Sequence, residues 1–229
     1  MSEITLSLII PAYNEEKSIK TALLENLIVL ENSKYSFEII VIDDGSVDNT
    51  KKIIIENFST NNNIIFLSKP NGGFGSAIKK GIMLSKGDYI MFAPVDNPLN
   101  NNLLNLFLSN IGKADILVSY RILRKGYSTR MKFNSWAYHL IISALFRLPL
   151  KDYNWIHLYK KEIFKNISIK NERIFMLAEV LIKAKWLNYS FYEFPVEMQE
   201  RKYGKKTAAS FKSAFYTFSD AIMFYIQKK

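Results

Sequence analysis

Across the first half of the chain, short runs of aliphatic and β-branched residues alternate with stretches in which apolar positions recur every three or four residues. Thr5 to Ile10 (TLSLII) is the first run; it ends at Pro11 and reads as a strand buried on both faces. Asn14 then stands as a helix N-cap, with Glu15 and Glu16 in the first turn and Ile19, Leu23, Leu24 and Leu27 at helical spacing. The unit repeats as Phe37 to Ile42 (FEIIVI), the turn Asp43-Asp44-Gly45-Ser46 and a helix near Asp48 to Asn57. A third strand, Ile64 to Leu67, passes through Pro70-Asn71-Gly72-Gly73 into a helix from Phe74 to Ser85, and Tyr89 to Ala93 is a fourth strand. Strands that alternate with helices predict an α/β fold, a mostly parallel sheet with helices on both faces. Ligands of such sheets bind beyond the carboxyl ends of the strands.

The texture changes after Leu117 to Tyr120, where aromatic and basic residues interleave from Arg121 to Leu150. Phe133 to Phe146 is expected as an amphipathic helix and Tyr189 to Val196 as a late strand, followed by a loop from Glu197 to Lys206. Ala208 to Ile226 closes the chain as a helix with Phe211, Phe215, Phe218, Ile222 and Tyr225 along one side. No internal repeat, low-complexity linker or second-domain boundary is evident, and 229 residues, 48% hydrophobic and 23% charged, suffice for one folded domain. The absence of cysteine excludes a thiolate metal site and a cysteine nucleophile. No apolar stretch reaches the ~18 to 20 residues needed to cross a bilayer, and the first residues carry no basic leader, so a soluble or peripheral protein is expected.

Charge divides the chain. Residues 1–113 hold 10 Lys/Arg against 12 Asp/Glu, whereas residues 114–229 hold 21 against 9, giving −2 and +12 of the total +10. A basic half facing an anionic partner is one reading and a lysine-rich solvated surface the other. No nucleic-acid-binding module accompanies the charge, so nucleic acid is not expected as a partner. The cluster Gly73-Phe74-Gly75-Ser76-Ala77-Ile78 lacks the third glycine of a dinucleotide fingerprint and follows the third strand, which argues against a dinucleotide-dependent oxidoreductase.

The informative signal is an ordered series of segments at the strand ends. Pro11-Ala12-Tyr13-Asn14-Glu15-Glu16 and Val41-Ile42-Asp43-Asp44-Gly45-Ser46-Val47-Asp48-Asn49-Thr50 together resemble the nucleotide-sugar half of a GT-A glycosyltransferase of family 2. Later pieces agree: Asn71 to Ala77, Ser85-Lys86-Gly87-Asp88-Tyr89, Val118-Ser119-Tyr120-Arg121, Asp152-Tyr153, Phe194-Pro195-Val196 and Arg201 to Thr207. The full series is most similar to the polyprenyl (dolichyl) phosphate hexose synthase branch and runs from residue 4 to 207.

That resemblance implies a GT-A fold, a single Rossmann-like domain. Residues 1–113 would take a nucleoside diphosphate sugar, of UDP or GDP, and residues 114–229 would form a basic acceptor half with a C-terminal amphipathic helix. It implies inverting transfer of a hexose-type sugar to a polyprenyl phosphate, by a protein peripheral at the cytoplasmic membrane face and in contact with an anionic membrane surface. Donor-binding positions fall on Pro11, Tyr13, Glu15, Asp43, Asp44, Gly73, Val95 and Lys206, and catalytic ones on Asp96, Arg121, Asp152 and Arg201.

The residues fit this chemistry in their own right. A nucleotide base needs a flat apolar contact and an acceptor for its imide, which Tyr13 and Asp43 at adjacent strand ends supply, and Glu15 can accept from a ribose hydroxyl. Alone, Asp43-Asp44-Gly45-Ser46 is an ordinary Asx-type turn. The family's metal-binding Asp-x-Asp is here Pro94-Val95-Asp96, so a Mg2+ or Mn2+ ion would rest on Asp96 and substrate phosphates, and weak metal dependence is expected. Arg121, Arg201 and Lys206 fall where the family places basic phosphate contacts and would assist the leaving diphosphate.

The acceptor follows from the available bases. A sugar hydroxyl needs a positioned base, whereas a phosphate monoester is already an anion at neutral pH and needs cations. Apart from Glu179, Asp152 is the one family-matched carboxylate of the basic half, and Arg121, Arg130, Arg201, Lys205 and Lys206 are expected around the acceptor mouth. Two alternatives stay open: transfer to a glycan hydroxyl, with Asp152 as base, and a catalytically silent nucleotide-sugar binder, motivated by Pro94. His139 and His157 read as packing residues, and Trp136, Tyr138 and Trp155 as core or interface aromatics. The segments Phe133 to Phe146 and Ala208 to Ile226 suit a lipid headgroup layer and a core-covering role equally well.

Overall fold

A computed structural model describes residues 4–95, 101–122, 127–197 and 211–227. The first half alternates as expected: β1 (Leu6–Ala12), α1 (Ile19–Glu31), β2 (Phe37–Asp43), α2 (Thr50–Phe58), β3 (Ile64–Ser68), α3 (Phe74–Leu84) and β4 (Tyr89–Phe92). The second half adds α4 (Asn101–Ser109), β5 (Ile116–Arg121), α5 (Thr129–Phe146), β6 (His157–Lys160), α6 (Ile163–Asn166), α7 (Met176–Trp186), β7 (Phe191–Val196) and α8 (Phe211–Gln227). All the strands join one seven-stranded sheet in the order β3-β2-β1-β4-β6-β5-β7. Only β6 runs against its neighbours; β5 and β7 pair in parallel, and so do the strands from β3 to β4.

The period-two geometry of a strand sorts its side chains between two cores. Leu6, Leu8 and Ile10 of β1 join Ile39 and Val41 of β2 under α1, α2 and α4, while Ile9, Ile40 and Ile42 face the layer of α3, α5, α7 and α8. Full burial of each such side chain contributes roughly 1.5–3 kcal/mol, which is why these runs are apolar without alternation. Pro11 is tolerated in this central strand because the register of β1 with β4 stops at Ile9 and Phe92, leaving one side of Pro11 without a partner strand.

Several expectations need correction. Asn14 is not a helix cap: it has φ 55, and α1 starts five residues later, after Ser18. Glu15 and Glu16 therefore sit in the connecting turn. α5 begins at Thr129, where the Ser128 side chain accepts from the Met131 amide at 3.3 Å. The apolar line expected along α8 is split: Phe218 and Tyr225 pack on Tyr138 and Phe146 of α5, whereas Phe215 and Ile222 are exposed. The sequence pattern predicts none of α4, β5, β6, α6 and α7 as elements. His157 is buried and His139 packs against the Tyr153 ring, as read from the sequence. Among the described residues, no helix is long and apolar enough to cross a membrane.

Candidate active site

The loops after β1, β2 and β3 meet at the carboxyl edge of the sheet, and hydrogen bonds between them fix their shape. The Asn14 amide donates to Ser46 Oγ (2.9 Å), and Asn14 Oδ1 accepts from the Val47 amide (2.9 Å). The positive φ of Asn14 makes this exchange geometrically accessible, and asparagine adopts that conformation more readily than most residues. Asp48 accepts from the Glu16 amide (3.1 Å) and from the Thr50 amide and hydroxyl. Burial opposes its charge, but the Thr50 and Glu16 donors outweigh it and hold the Asp48 carboxyl below its ordinary value.

Within this frame Asp43 and Asp44 have separate tasks. Asp43, 1% exposed, accepts from the Ser46 amide (3.0 Å) and the Ser68 hydroxyl (2.7 Å), so its carboxylate is locked at the end of β2. Each oxygen keeps a further lone pair. Tyr13, half exposed, lies just beyond Ala12, the register partner of Asp43. Asp44 turns toward the third loop, where it accepts from the amides of Gly72 (3.0 Å) and Gly73 (2.8 Å) and pairs with Lys69. It is thus a loop holder. Gly73 has φ 88, and a Cβ there would lie 2.9 Å from the Glu172 carbonyl oxygen, so both its conformation and its contact demand glycine. The amides of Gly72 and Gly73 are already taken by Asp44, so these glycines shape the loop without supplying free donors. Glu15 accepts from the Ser18 hydroxyl while its amide donates to Thr50 Oγ1 at 2.7 Å.

On the other side of the sheet's centre, Arg121 at the end of β5 meets Asp152 in a two-pronged ion pair: Nε to Oδ2 at 2.7 Å and an Nη to Oδ1 at 2.9 Å. The side chains are only 7% and 5% exposed. The guanidinium also donates to Tyr127 Oη (2.8 Å) and lies 4.7 Å from the Trp155 ring centre. Burial works against the charge, but Asp152 and Tyr127 outweigh it, and the Arg121 pKa stands above its ordinary value. Arg121 is therefore neither a solvated surface charge nor an independent cation. Both oxygens of its partner face the guanidinium, and Oδ1 also accepts from the Asn154 amide at 3.2 Å, so Asp152 orients Arg121.

Residues 7–176 match the family described as Glycosyl transferase family 2. The chain belongs to this family. Among relatives of this glycosyltransferase, the Dictyostelium discoideum protein named dolichyl-phosphate beta-glucosyltransferase is 29% identical over 223 residues, covering 87% of this chain and 68% of that one. A Trichomonas vaginalis protein named dolichyl-phosphate beta-glucosyltransferase ALG5A is 28% identical, covering 87% and 67%. Of solved structures, glucosyl-3-phosphoglycerate synthase from Mycobacterium tuberculosis in complex with Mn2+, UDP and phosphoglyceric acid superposes with TM-score 0.74 at 16% identity, over 95% of this chain and 78% of that one. The fold of this enzyme is accordingly GT-A.

Asp96, Arg201, Lys205 and Lys206 lie outside the described residues. Arg130 is exposed near the start of α5. Val95 is buried beyond the end of β4, and the Ala93 amide still donates to Ile9 at 3.0 Å, so the chain is carried along the site edge up to the residue before Asp96. Among the described residues no group of three His, Asp or Glu side chains forms a metal cluster. With proline at 94, the donor set suits a hard divalent ion bound by one carboxylate and completed by phosphate oxygens and water. Sequence reasoning selected both Arg121 and Asp152 but missed their pairing, and it missed Ser46 and Ser68 as holders of Asp43. The Ser46 contact has a local signal, an aspartate opening the turn Asp43-Asp44-Gly45-Ser46 three residues before the amide it accepts from, whereas the Ser68 contact crosses strands and has none.

Proposed function

We propose that this enzyme transfers a hexose, with inversion, from a UDP- or GDP-linked donor to a polyprenyl phosphate. The observation that carries the reading is Asp43: a buried, fully positioned carboxylate at a strand end beside half-exposed Tyr13, the pairing a nucleotide base requires. Pro11 lies opposite Ile42, the residue before Asp43, and Glu15 would accept from a ribose hydroxyl. Support for the acceptor comes from the relatives named for dolichyl phosphate and from the pairing of Asp152 with Arg121, which sets this carboxylate to orient a cation.

In this reading a phosphate oxygen of the acceptor attacks the anomeric carbon from the face opposite the diphosphate. The new C–O bond forms as the bond to the leaving diphosphate breaks, and no hydroxyl proton has to be removed. Arg121, kept charged and oriented by Asp152, offers its remaining N–H groups to phosphate. Arg201 and Lys206 would add positive charge. A Mg2+ or Mn2+ ion held by Asp96 and the donor phosphates would supply neutralisation of the leaving group. Exposed Phe133, Trp136 and Leu140 on α5, beside Arg130 and Lys132, suit an anionic lipid surface at the cytoplasmic membrane face, where the acceptor would be presented.

The test is transfer from a panel of labelled UDP- and GDP-sugars to a short-chain polyprenyl phosphate with Mg2+, Mn2+ or chelator, alongside flotation on anionic and neutral liposomes. A lipid-linked product whose anomeric configuration is opposite to the donor's is expected. Transfer only to free glycans overturns the acceptor, and nucleotide-sugar binding without any transfer supports a silent binder.

A further inference from the structure

Glu179 lies in the first turns of α7, fully buried, and touches none of the donor-pocket residues described above. An interior carboxylate is costly unless it is well paired. Here Oε1 accepts from the Lys170 amide at 2.9 Å, Oε2 from the Asn171 amide at 2.8 Å, and Lys183 Nζ stands 2.5 Å from Oε1. Lys183 also donates to the Ser168 carbonyl at 2.6 Å, so the backbone from 168 to 171 is pinned to α7. The next residue, Glu172, turns its carbonyl toward the Gly75 amide at 2.8 Å. A Cβ on Gly75 would come within 2.6 Å of the Asn171 carbonyl oxygen and 2.7 Å of Glu172 Cα. These are backbone contacts, and nothing in them can rotate away.

The Gly72 to Gly75 loop is therefore clamped from two sides. Asp44, the neighbour of Asp43, holds the amides of Gly72 and Gly73, and the strut from 170 to 172 holds Gly75. The geometry points to Glu179 as a positioning residue for the donor: it fixes the strut on which this loop rests, and so sets the pocket around Asp43 without touching the ligand. The inference rests on the donor reading above.

Calorimetric titration of UDP and GDP tests it with Glu179→Gln, Gly75→Ala, the double variant and Leu30→Ala. Glutamine keeps the shape but turns one acceptor into a donor facing an amide, so the strut loses a contact. Glu179→Gln is expected to weaken nucleotide binding severalfold, up to about tenfold, because a loosened strut leaves the loop in its binding-competent arrangement only part of the time. Gly75→Ala disturbs the same contact from the loop side, and the double variant should weaken binding by less than the product of the two. Leu30→Ala, in the core at the far end of α1, should lower the Tm and leave the Kd unchanged. Wild-type affinity in a folded Glu179→Gln protein, or independent effects in the double variant, overturns the inference. Should Glu179→Gln fail to fold, wild-type affinity in Gly75→Ala overturns it instead. A wild-type chain that binds neither nucleotide overturns the donor reading, and this inference with it.

Discussion

At the end of β2 Asp43 is held by an amide and a hydroxyl, whereas at the end of β5 Arg121 is held by a carboxylate 31 positions away, with Trp155 and Tyr127 packed against it. Both arrangements fix a charged side chain at the same edge of one sheet. They differ in what is lost when one partner is removed. A hydrogen bond to a charged group contributes about 1.5–3 kcal/mol, while a buried ion whose counter-charge is deleted costs about 3–5 kcal/mol. The end of β2 can therefore change single residues with a smaller loss of stability, whereas neither Arg121 nor Asp152 can change alone.

The sharpest way to break this comparison is Arg121→Met, which leaves the Asp152 carboxylate buried without its counter-charge. Urea denaturation should show a loss of roughly 3–5 kcal/mol, and Arg121→Met with Asp152→Leu should recover most of it. Restored stability with abolished transfer would separate the catalytic role of the pair from its structural one. A double variant as unstable as the single would instead assign the stability to the surrounding aromatics.

A second test uses the same region. His157 opens β6 beside the Arg121 and Asp152 pair; Nε2 donates to the Tyr153 carbonyl at 3.4 Å, and burial pushes its pKa from 6.5 down to about 4. The unfolded chain therefore takes up a proton between those values and the folded chain does not, so stability is full above about pH 6.5 and is lost as pH falls through about 4. The window corresponds to roughly 3 kcal/mol. Urea midpoints measured from pH 7 to 4 should fall in the wild type and fall much less in His157→Leu; parallel curves would remove His157 as the acid-sensitive group.

The same contrast explains what was legible beforehand. Strands β1, β2 and β4 could be read because they are buried on both faces, and half-buried β3 because its run is aliphatic; each is followed by a loop whose polar residues have few other uses. Asn14 was misread because asparagine favours both helix caps and left-handed turns, and local sequence does not decide between them. On α8, Phe215 and Ile222 lie on a stripe adjacent to that of Phe218 and Tyr225; periodicity gives both and cannot say which one meets α5. β6 is four residues long and begins and ends in His157 and Lys160, so it lacks the apolar run that marks the equally short β4. The pairing of Arg121 with Asp152 depends on β5 and the segment before β6 lying side by side, a consequence of sheet order. The fixed position of Asp43 was legible because its neighbours along the chain already form the turn.

Asp43→Ala sharpens the donor side of the comparison. It removes a buried acceptor and frees the Ser46 amide and Ser68 hydroxyl, and calorimetry should show nucleotide affinity falling about ten- to a hundredfold, or about 1–3 kcal/mol. Stability should fall less than in Arg121→Met. Unchanged affinity would remove Asp43 from the base pocket.

The smallest expected effect comes from an ion pair at the opposite, amino edge of the sheet. Asp115, just before β5, accepts from Lys160 Nζ at 2.8 Å and from the Ser190 amide and hydroxyl at 2.8 and 2.6 Å. Lys160 first, then Ser190, draw its carboxyl from 3.8 down to about 2. Because the folded value is the lower one, the stabilisation is present above pH 3.8 and is lost as pH falls through about 2. The side chains of Lys160 and Asp115 are 35% and 23% exposed, so solvent screens the pair and its contribution is below about 1 kcal/mol. Asp115→Asn should flatten the acid-unfolding curve between pH 4 and 2 and leave nucleotide affinity at neutral pH unchanged. A loss as large as that of Arg121→Met would show that exposure does not separate the two ion pairs, and that the cost of deletion follows from charge alone.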